Sequence, residues 1–185
     1  LATIIMGFAT GLDSVMLLNS LTEGFGKTLS SIGVIIAFGT IIGTYLEKSG
    51  GAMSMANAII KFIGEKKSAL AINITGFVVS IPVFCDSGFV ILSTLNKALS
   101  KKSGISLVVF AVALSAGLYA THVFVPPTPG PLAAAAILKA DLALVIIFGL
   151  VVAFFSSLTG YFWALYIGKK ISVSVEESFE VKYDK

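Results

Sequence analysis

Arginine is absent from this 185-residue chain, because all 13 of its basic residues are lysines. They lie at the ends of apolar runs, without the basic patch and interleaved aromatics of nucleic-acid binding proteins, so we expect no nucleic-acid partner. The single Cys85 excludes an internal disulfide and a cysteine-rich metal site, and we expect no cofactor. Charge is also scarce: charged residues make up 12% of the chain, against about 25% in soluble domains.

Apolar residues are correspondingly abundant. They make up 56% of the chain, and the mean hydropathy is +0.97. Residues 28–46, 105–122 and 142–168 form charge-free runs close to the roughly 20 residues that a membrane-crossing helix needs. The composition therefore predicts an all-α, multi-pass bundle of transmembrane helices in the cytoplasmic membrane, with the lipid bilayer as its surroundings. We expect the chain to begin inside such a helix.

A fourth apolar stretch, residues 68–99, is interrupted by Pro82 and by the polar group at 85–88. It is either one broken span or a re-entrant hairpin whose short arms enter and leave on the same side. The lysines before it are Lys48, Lys61, Lys66 and Lys67, and those after it are Lys97, Lys101 and Lys102. Because short lysine-rich loops favour the cytoplasm, the hairpin, which puts both flanks inside, is predicted.

A second interruption follows at residues 121–131, in a neighbourhood without formal charge. Its prolines are Pro126, Pro127, Pro129 and Pro131. An unpaired backbone group in hydrocarbon costs several kcal/mol, so non-helical backbone at that depth indicates burial in protein or a water-filled cavity. Broken helices of this kind are typical of transporter binding sites. We place Pro131 at the first position of a short helix over 132–138.

The acid at the first interruption is the main candidate for chemistry. Asp86 is the only acid inside an apolar run apart from Asp13 near the start. A buried Asp86 can load and release a proton during transport, or it can merely cap its half-helix together with Ser87. Gly88 lets a ligand or another backbone come close. Two helix N-termini aimed at one cavity, with Gly130 in the second, would bind an anion without arginine.

Other polar side chains near the interruptions have open roles. His122 can donate to a substrate, relay a proton, or bond to the broken backbone. The hydroxyls of Thr121, Thr128 and Ser87 suit a polyol or hydroxy acid, although such side chains also bond to their own helix carbonyls. Asn73 and Thr75 are predicted to be interhelical contacts.

Three segments complete the scheme. Residues 51–67 carry an apolar stripe at helical spacing and predict an amphipathic helix, lying in the membrane interface or simply connecting two spans. Lys27 and Lys139 are expected outside, partly balanced by Glu23 and Asp141. Residues 171–185 are rich in alternating charges and are interpreted as a cytoplasmic loop or linker after a transmembrane transport domain over 1–170.

Four sequence blocks resemble those of the gluconate permease (GntP) family in order and spacing. They are residues 24–33, residues 46–52, residues 81–84 with Asp86 and 88–89, and His122 with 125–131. Two positions depart from the family pattern: Thr128 stands where many members have histidine, and the 84–86 group differs from the usual aromatics and glutamate. The resemblance therefore indicates the substrate class more firmly than gluconate itself.

The resemblance implies a proton-coupled symporter of gluconate or a related sugar acid or hydroxy acid. It also implies a fold of two inverted repeats with re-entrant hairpins, of which this chain is the first and needs the second as its partner. Sodium coupling, with carbonyls near Ser87 and Thr128 holding the ion, is the alternative within transport. An intramembrane hydrolase using Asp86, Ser87 and His122 is the alternative from another class, although no enzyme activity is expected. A homo-oligomer is left open.

Overall fold

The computed structural model describes residues 2–64 and 67–173, which form helices and no strands. The helices are α1 (Ala2–Ala9), α2 (Ser14–Lys48), α3 (Gly51–Ile63), α4 (Ser68–Val79), α5 (Cys85–Ser103), α6 (Leu107–Phe124), α7 (Pro129–Leu138) and α8 (Leu142–Lys170). Three stretches are long and apolar enough to cross a membrane: Ser14–Lys48, Leu107–Leu138 and Leu142–Lys170. The predicted all-α membrane helix bundle is confirmed.

The first span is longer than predicted. Helix α2 begins at Ser14, not near residue 28, because the carboxylate of Asp13 accepts a hydrogen bond of 2.8 Å from the Met16 N–H and caps the helix. Glu23 and Lys27 lie inside it, four residues apart, with 2.6 Å between the carboxylate oxygen and Nζ. Glu23 therefore balances Lys27 as expected, but the pair belongs to the helix rather than to a loop before it.

Helices α4, α6 and α8 form the centre of the bundle. Small residues allow close approach: Gly117 of α6 abuts Asn73 of α4, and Gly160 of α8 abuts Ala116 of α6. Gly168 of α8 lies against Val109 near the start of α6, so α6 and α8 are antiparallel, whereas α4 and α6 are parallel. Close packing through small residues is how helices associate where lipid removes the hydrophobic driving force.

One buried polar network joins these three helices. Asn73 Nδ2 donates to the carbonyl of Ala113 at 2.9 Å and to that of Ser157 at 3.3 Å. The hydroxyl of Ser157 donates back to Asn73 Oδ1 at 3.0 Å. The prediction that Asn73 is an interhelical contact is confirmed. Thr75 is also fully buried, but its hydroxyl has no partner within residues 2–64 and 67–173.

Helices α4 and α5 form a hairpin beside α6. Gly88 near the start of α5 packs on Leu118, while Ser100 near its end donates to the carbonyl of Ile105 at 2.7 Å, so α5 and α6 are antiparallel. The start of α4 and the end of α5 thus lie at the same end of α6. With 12 residues, α4 is about 18 Å long, too short for about 30 Å of hydrocarbon. This geometry is what a re-entrant hairpin needs, and its insertion from the cytoplasmic side stays a prediction.

Helix α3 packs into the bundle instead of lying apart from it. Its face of Ala52, Ala56 and Ile60 is buried in the same core as α4 and α6. The helix ends at Ile63, four residues before the predicted end, because Gly64 adopts a positive φ of 89° there. An interfacial position remains a prediction, and Lys66 lies outside the described residues.

The C-terminal end of α8 is joined to the start of α6. Leu107 N–H donates to the carbonyl of Val173 at 3.1 Å, and Val173 N–H donates to the hydroxyl of Ser106 at 3.1 Å. The chain therefore leaves α8 at the end of the bundle where α6 begins. Residues 174–185 of the predicted loop or linker lie outside the described part of the chain.

Candidate functional site

Two non-helical segments meet on one face of α2. The first break is residues 80–84, between α4 and α5, and the second break is residues 125–128, between α6 and α7. A Cβ built on Gly43 would lie 2.5 Å from the carbonyl oxygen of Pro82, and one built on Gly39 would lie 3.3 Å from the ring of Pro127. Glycines one helical turn apart thus let both breaks sit directly against α2.

Aromatic contact joins the first break to the last turn of α6. The rings of Phe84 and His122 lie with centroids 6.0 Å apart at 62°, an edge-to-face arrangement. His122 is half-buried, and its Nδ1 is buried without a hydrogen-bond partner among the residues the structure describes. Of the predicted breaks, Pro82, Pro126 and Pro127 lie in non-helical segments that are neighbours in space, whereas Pro129 and Pro131 lie in the first turn of α7.

Helix α5 begins one residue before the predicted cap. Val83 N–H still donates to the carbonyl of Val79 at 3.1 Å, so the chain keeps turning until Phe84 adopts an extended conformation and becomes the N-cap. Asp86 and Ser87 consequently lie in the first helical turn, so the alternative that they merely cap the helix is wrong. The helix start has no side-chain cap, and its first three N–H groups donate to no oxygen within the described ranges.

Helix α7 also begins earlier than predicted. Thr128 is its N-cap and Pro129 occupies the first position, so Pro131, which was predicted there, stands third. The reason is that the first helical position favours proline, which has a fixed φ and no N–H, and Pro129 satisfies this preference as well as Pro131 does. Since Pro129 and Pro131 lack an N–H, Gly130 supplies the single donor among the first three positions. This helix start therefore presents fewer N–H donors than the start of α5.

A cavity of about 340 Å³ opens beside the start of α5. This Asp86 cavity is lined by Cys85, Asp86, Phe89 and Val90 of α5 and by Ser115, Leu118 and Tyr119 of α6. Its volume is within the range of about 300–1,000 Å³ typical of small-molecule sites. Asp86 is exposed here, contrary to the expectation of burial, and its Oδ1 lies 3.7 Å from the sulfur of Cys85.

A second, much smaller cavity lies between the two breaks and α2. This break cleft is lined by residues 80–84, by Pro127 and Thr128, and by Ile36, Gly39 and Thr40 of α2. Its volume is about 10 Å³, room for one water-sized particle. The N-cap residues of the two helices, Phe84 of α5 and Thr128 of α7, both line the break cleft, whereas Asp86 lines the separate Asp86 cavity.

Three further predicted residues have structural partners. The hydroxyl of Thr121 is fully buried and donates to the carbonyl of Phe77 at 2.8 Å, which ties α6 to α4. Thr128 donates to the carbonyl of Val125 at 2.8 Å. Gly88 is packed on Leu118, whereas Gly130 is exposed with open space around it. Sequence reasoning missed Ser115, Tyr119 and the α2 glycines, although the Gly39-x-x-x-Gly43 spacing is a packing signal.

Interrupted helices that pack together beside a cavity in a membrane helix bundle are a feature of many transporter folds. The chain belongs to the GntP family of permeases, since the model of the GntP family permease matches residues 1–185. It is a multi-pass membrane protein.

Relatives of this chain include named permeases and transporters. It is 43% identical to an "Uncharacterized permease" of Haemophilus influenzae, over 100% of this chain and 39% of that protein. It is 37% identical to a "Gluconate permease" of Pseudomonas aeruginosa, over 80% and 33% respectively. It is 36% identical to the "Gnt-II system L-idonate transporter" of Escherichia coli, over 82% and 35%. The chain thus spans between a third and two fifths of these relatives' length, and no solved structure matches it.

Proposed function

We propose that this chain is part of a secondary active transporter that carries gluconate, or a related sugar acid or hydroxy acid, across the cytoplasmic membrane together with a proton. The observation that carries the proposal is the Asp86 cavity, where a carboxyl, hydroxyls and an uncapped helix start line one small-molecule-sized space. Membership of the GntP permease family and the names of the relatives, gluconate permease and L-idonate transporter, support the substrate class.

The substrate's carboxylate fits the start of α5. The N–H groups of 85–87 donate to no described oxygen, although those of Cys85 and Asp86 also lie within reach of the Cys85 sulfur. The helix dipole favours negative charge there. The hydroxyl of Ser115 and the phenol of Tyr119 line the same cavity and suit the hydroxyl groups of a sugar acid. We assign Ser87, in the first turn of α5, to the same task.

Proton coupling follows from electrostatics at this position. An ionised Asp86 would stand beside the bound carboxylate, and two adjacent negative charges repel in a site of low dielectric constant. A protonated Asp86 removes the repulsion and can donate a hydrogen bond. Anion binding and proton loading therefore favour each other, which is the linkage a symporter requires.

The remainder of the parent protein is the proposed partner. Asp86 stands on an exposed apolar surface, with Val90 69% and Tyr119 56% exposed. A carboxyl at membrane depth is costly against lipid, so this surface needs protein or a water-filled cavity over it. A second repeat, related to this one by inversion and placed across the Asp86 cavity, would supply that cover and complete the substrate site.

The test is uptake of labelled gluconate by the complete parent transporter in proteoliposomes, with an inward proton gradient and no sodium. Unlabelled gluconate, L-idonate and smaller hydroxy acids are the competitors. Asp86→Asn keeps the shape but loses the titrating group, so we expect gradient-driven accumulation to fall at least tenfold while exchange of internal for external substrate persists.

The matched control is Asp141→Asn. Asp141 caps α8 by accepting from Leu144 N–H at 3.0 Å, and asparagine caps equally well, so accumulation should stay within about twofold. Accumulation by Asp86→Asn at the wild-type level would overturn the assignment of the proton to Asp86. Absence of uptake and of competition under any ion gradient would overturn the substrate class.

A hydrolase has no geometric support here. Within the described ranges, Asp86, Ser87 and His122 form no hydrogen-bonded chain, since Asp86 Oδ1 contacts the sulfur of Cys85 and His122 Nδ1 has no partner. Nucleophilic catalysis needs the base within hydrogen-bond reach of the nucleophile.

A further inference from the structure

We propose that the break cleft binds a single Na⁺ ion, held by the hydroxyl of Ser80 and the free carbonyls of the first break. This site is distinct from the Asp86 cavity, and the inference concerns cation binding, whichever ion drives transport. It therefore stands or falls separately from the proposed function.

The first observation is an unused hydroxyl. Ser80 is 1% exposed, lines the break cleft, and its Oγ has no hydrogen-bond partner among the residues that the structure describes. A buried hydroxyl without a partner costs about 1–3 kcal/mol, so such a group is expected to have a ligand.

The second observation is a set of free backbone oxygens beside it. The carbonyls of residues 80–83 accept no hydrogen bond within the described part of the chain, because the N–H groups that turn past α4 bond to Gly76, Val78 and Val79 instead. Since the carbonyl of Pro82 lies against Gly43 of α2, the carbonyls of residues 80, 81 and 83 are the candidate ligands. They also stand at the C-terminal end of α4, where the helix dipole favours positive charge. Carbonyls of unwound helix with a helix C-terminus coordinate sodium in other membrane folds.

Two further hydroxyl oxygens complete the donor set. Thr128 and Thr40 are among the residues that line the cleft. The hydroxyl of Thr128 donates to the carbonyl of Val125, and the hydroxyl of Thr40 donates to the carbonyl of Ile36. Their oxygen lone pairs remain available to a cation.

Size and charge select the ion. The volume of about 10 Å³ admits one water-sized particle and no organic ligand. No carboxylate lines the cleft, whereas Mg²⁺ and Ca²⁺ sites are generally built with carboxylates. Neutral oxygens around a space of this size suit a small monovalent cation.

The experiment measures binding, without substrate and without transport. Purified parent transporter is titrated with ²²Na⁺ at constant ionic strength kept with choline chloride, and thermal stability is followed in parallel. We expect saturable Na⁺ binding that raises the melting temperature, with K⁺ much less effective. Ser80→Ala and Thr128→Val each remove one oxygen ligand and should weaken the apparent affinity roughly five- to tenfold.

Two variants keep the test sharp. Thr128→Ser retains the hydroxyl and should restore binding. Ser93→Ala changes a half-buried serine of α5 whose hydroxyl donates to the carbonyl of Val90, and it should leave Na⁺ binding unchanged. If Ser80→Ala does not purify as a folded protein, the Thr128 pair decides. Absence of saturable Na⁺ binding, or binding that neither Ser80→Ala nor Thr128→Val weakens, would overturn the site.

Discussion

At the scale of single residues, the polar groups of this bundle divide into those that hold helices together and those left for ligands. Asn73 and Thr121 donate hydrogen bonds to neighbouring helices. In contrast, Ser80 Oγ and His122 Nδ1 are buried without a hydrogen-bond partner among the described residues. Since an unpaired buried polar atom is costly, the second group marks the places where function is expected.

Removal of the Asn73 network should lower stability. Asn73→Ala leaves the carbonyls of Ala113 and Ser157 without their shared donor and opens a small cavity, so we expect the free energy of unfolding of the parent transporter to fall by about 1–2 kcal/mol. Denaturation by SDS in mixed micelles measures the change. The matched control is Asn57→Ala, on an exposed position of α3, which should alter stability by less than about 0.5 kcal/mol. Equal effects of the two variants would contradict the structural role of the network.

At the scale of elements, helix α2 supports both breaks. Its Gly43 lies against the carbonyl of Pro82 and its Gly39 against the ring of Pro127. Only glycine leaves room at position 43, because any side chain there would meet the backbone carbonyl of Pro82, which cannot rotate away.

Gly43→Ala should therefore impair transport more than stability. The added Cβ would stand 2.5 Å from the Pro82 carbonyl oxygen and must displace the first break. Misplacement of a site by about 1 Å can cost about a hundredfold in rate, so we expect uptake to fall at least tenfold at unchanged membrane expression. Gly26→Ala, in the same helix with open space around it, serves as the control and should retain wild-type uptake. Normal uptake by Gly43→Ala would show that the contact does not position the break.

Sequence reasoning located the breaks but misplaced their helix starts. Proline pattern alone identifies where a helix must stop, so the interruptions at Pro82 and at Pro126 and Pro127 were predictable, whereas Pro129 and Pro131 begin a helix instead of breaking one. Whether Phe84, Asp86 or Ser87 becomes the cap depends on how far the turn after α4 continues, which Val83 decides by bonding to Val79. Counting charge-free residues also made the predicted first span shorter than α2. The count stopped at Lys27, although the exposed Glu23–Lys27 pair is compatible with a helix.

Amphipathic pattern left a different ambiguity. The apolar stripe of α3 predicts a helix with one apolar face, and the helix is confirmed. The pattern does not say whether protein or lipid covers that face, since both are apolar. Ala52 and Ala56 are small enough for close helix packing, and the apolar face of α3 is accordingly covered by the protein core.

At the scale of the whole molecule, the ends of several helices gather on one side. The start of α4, the end of α5, the start of α6 and the end of α8 lie together, and hydrogen bonds of Ser106 with Val173 and of Val173 with Leu107 hold the last two. Lysines are concentrated at these ends, which predicts that they face the cytoplasm.

Cysteine accessibility tests this arrangement in the cysteine-free parent transporter. Ser49→Cys and Lys101→Cys, both at exposed positions, should react with a membrane-impermeant maleimide only when it is applied from the cytoplasmic side. Ala140→Cys, between α7 and α8, should react only from the opposite side and is the internal control. Labelling of positions 49 and 101 from opposite sides would contradict the hairpin and favour a single broken span.

The spacing of the two glycines has a consequence for motion. A helix rises about 1.5 Å per residue, so positions 39 and 43 stand about 6 Å apart along α2. The two glycine contacts fix the relative depth of the two breaks in the membrane. Any tilt or slide of α2 therefore moves both breaks together. One break can change its depth relative to the other only by losing its contact with α2. Separation of the breaks, and thus widening of the cleft between them, requires that one of these two contacts opens.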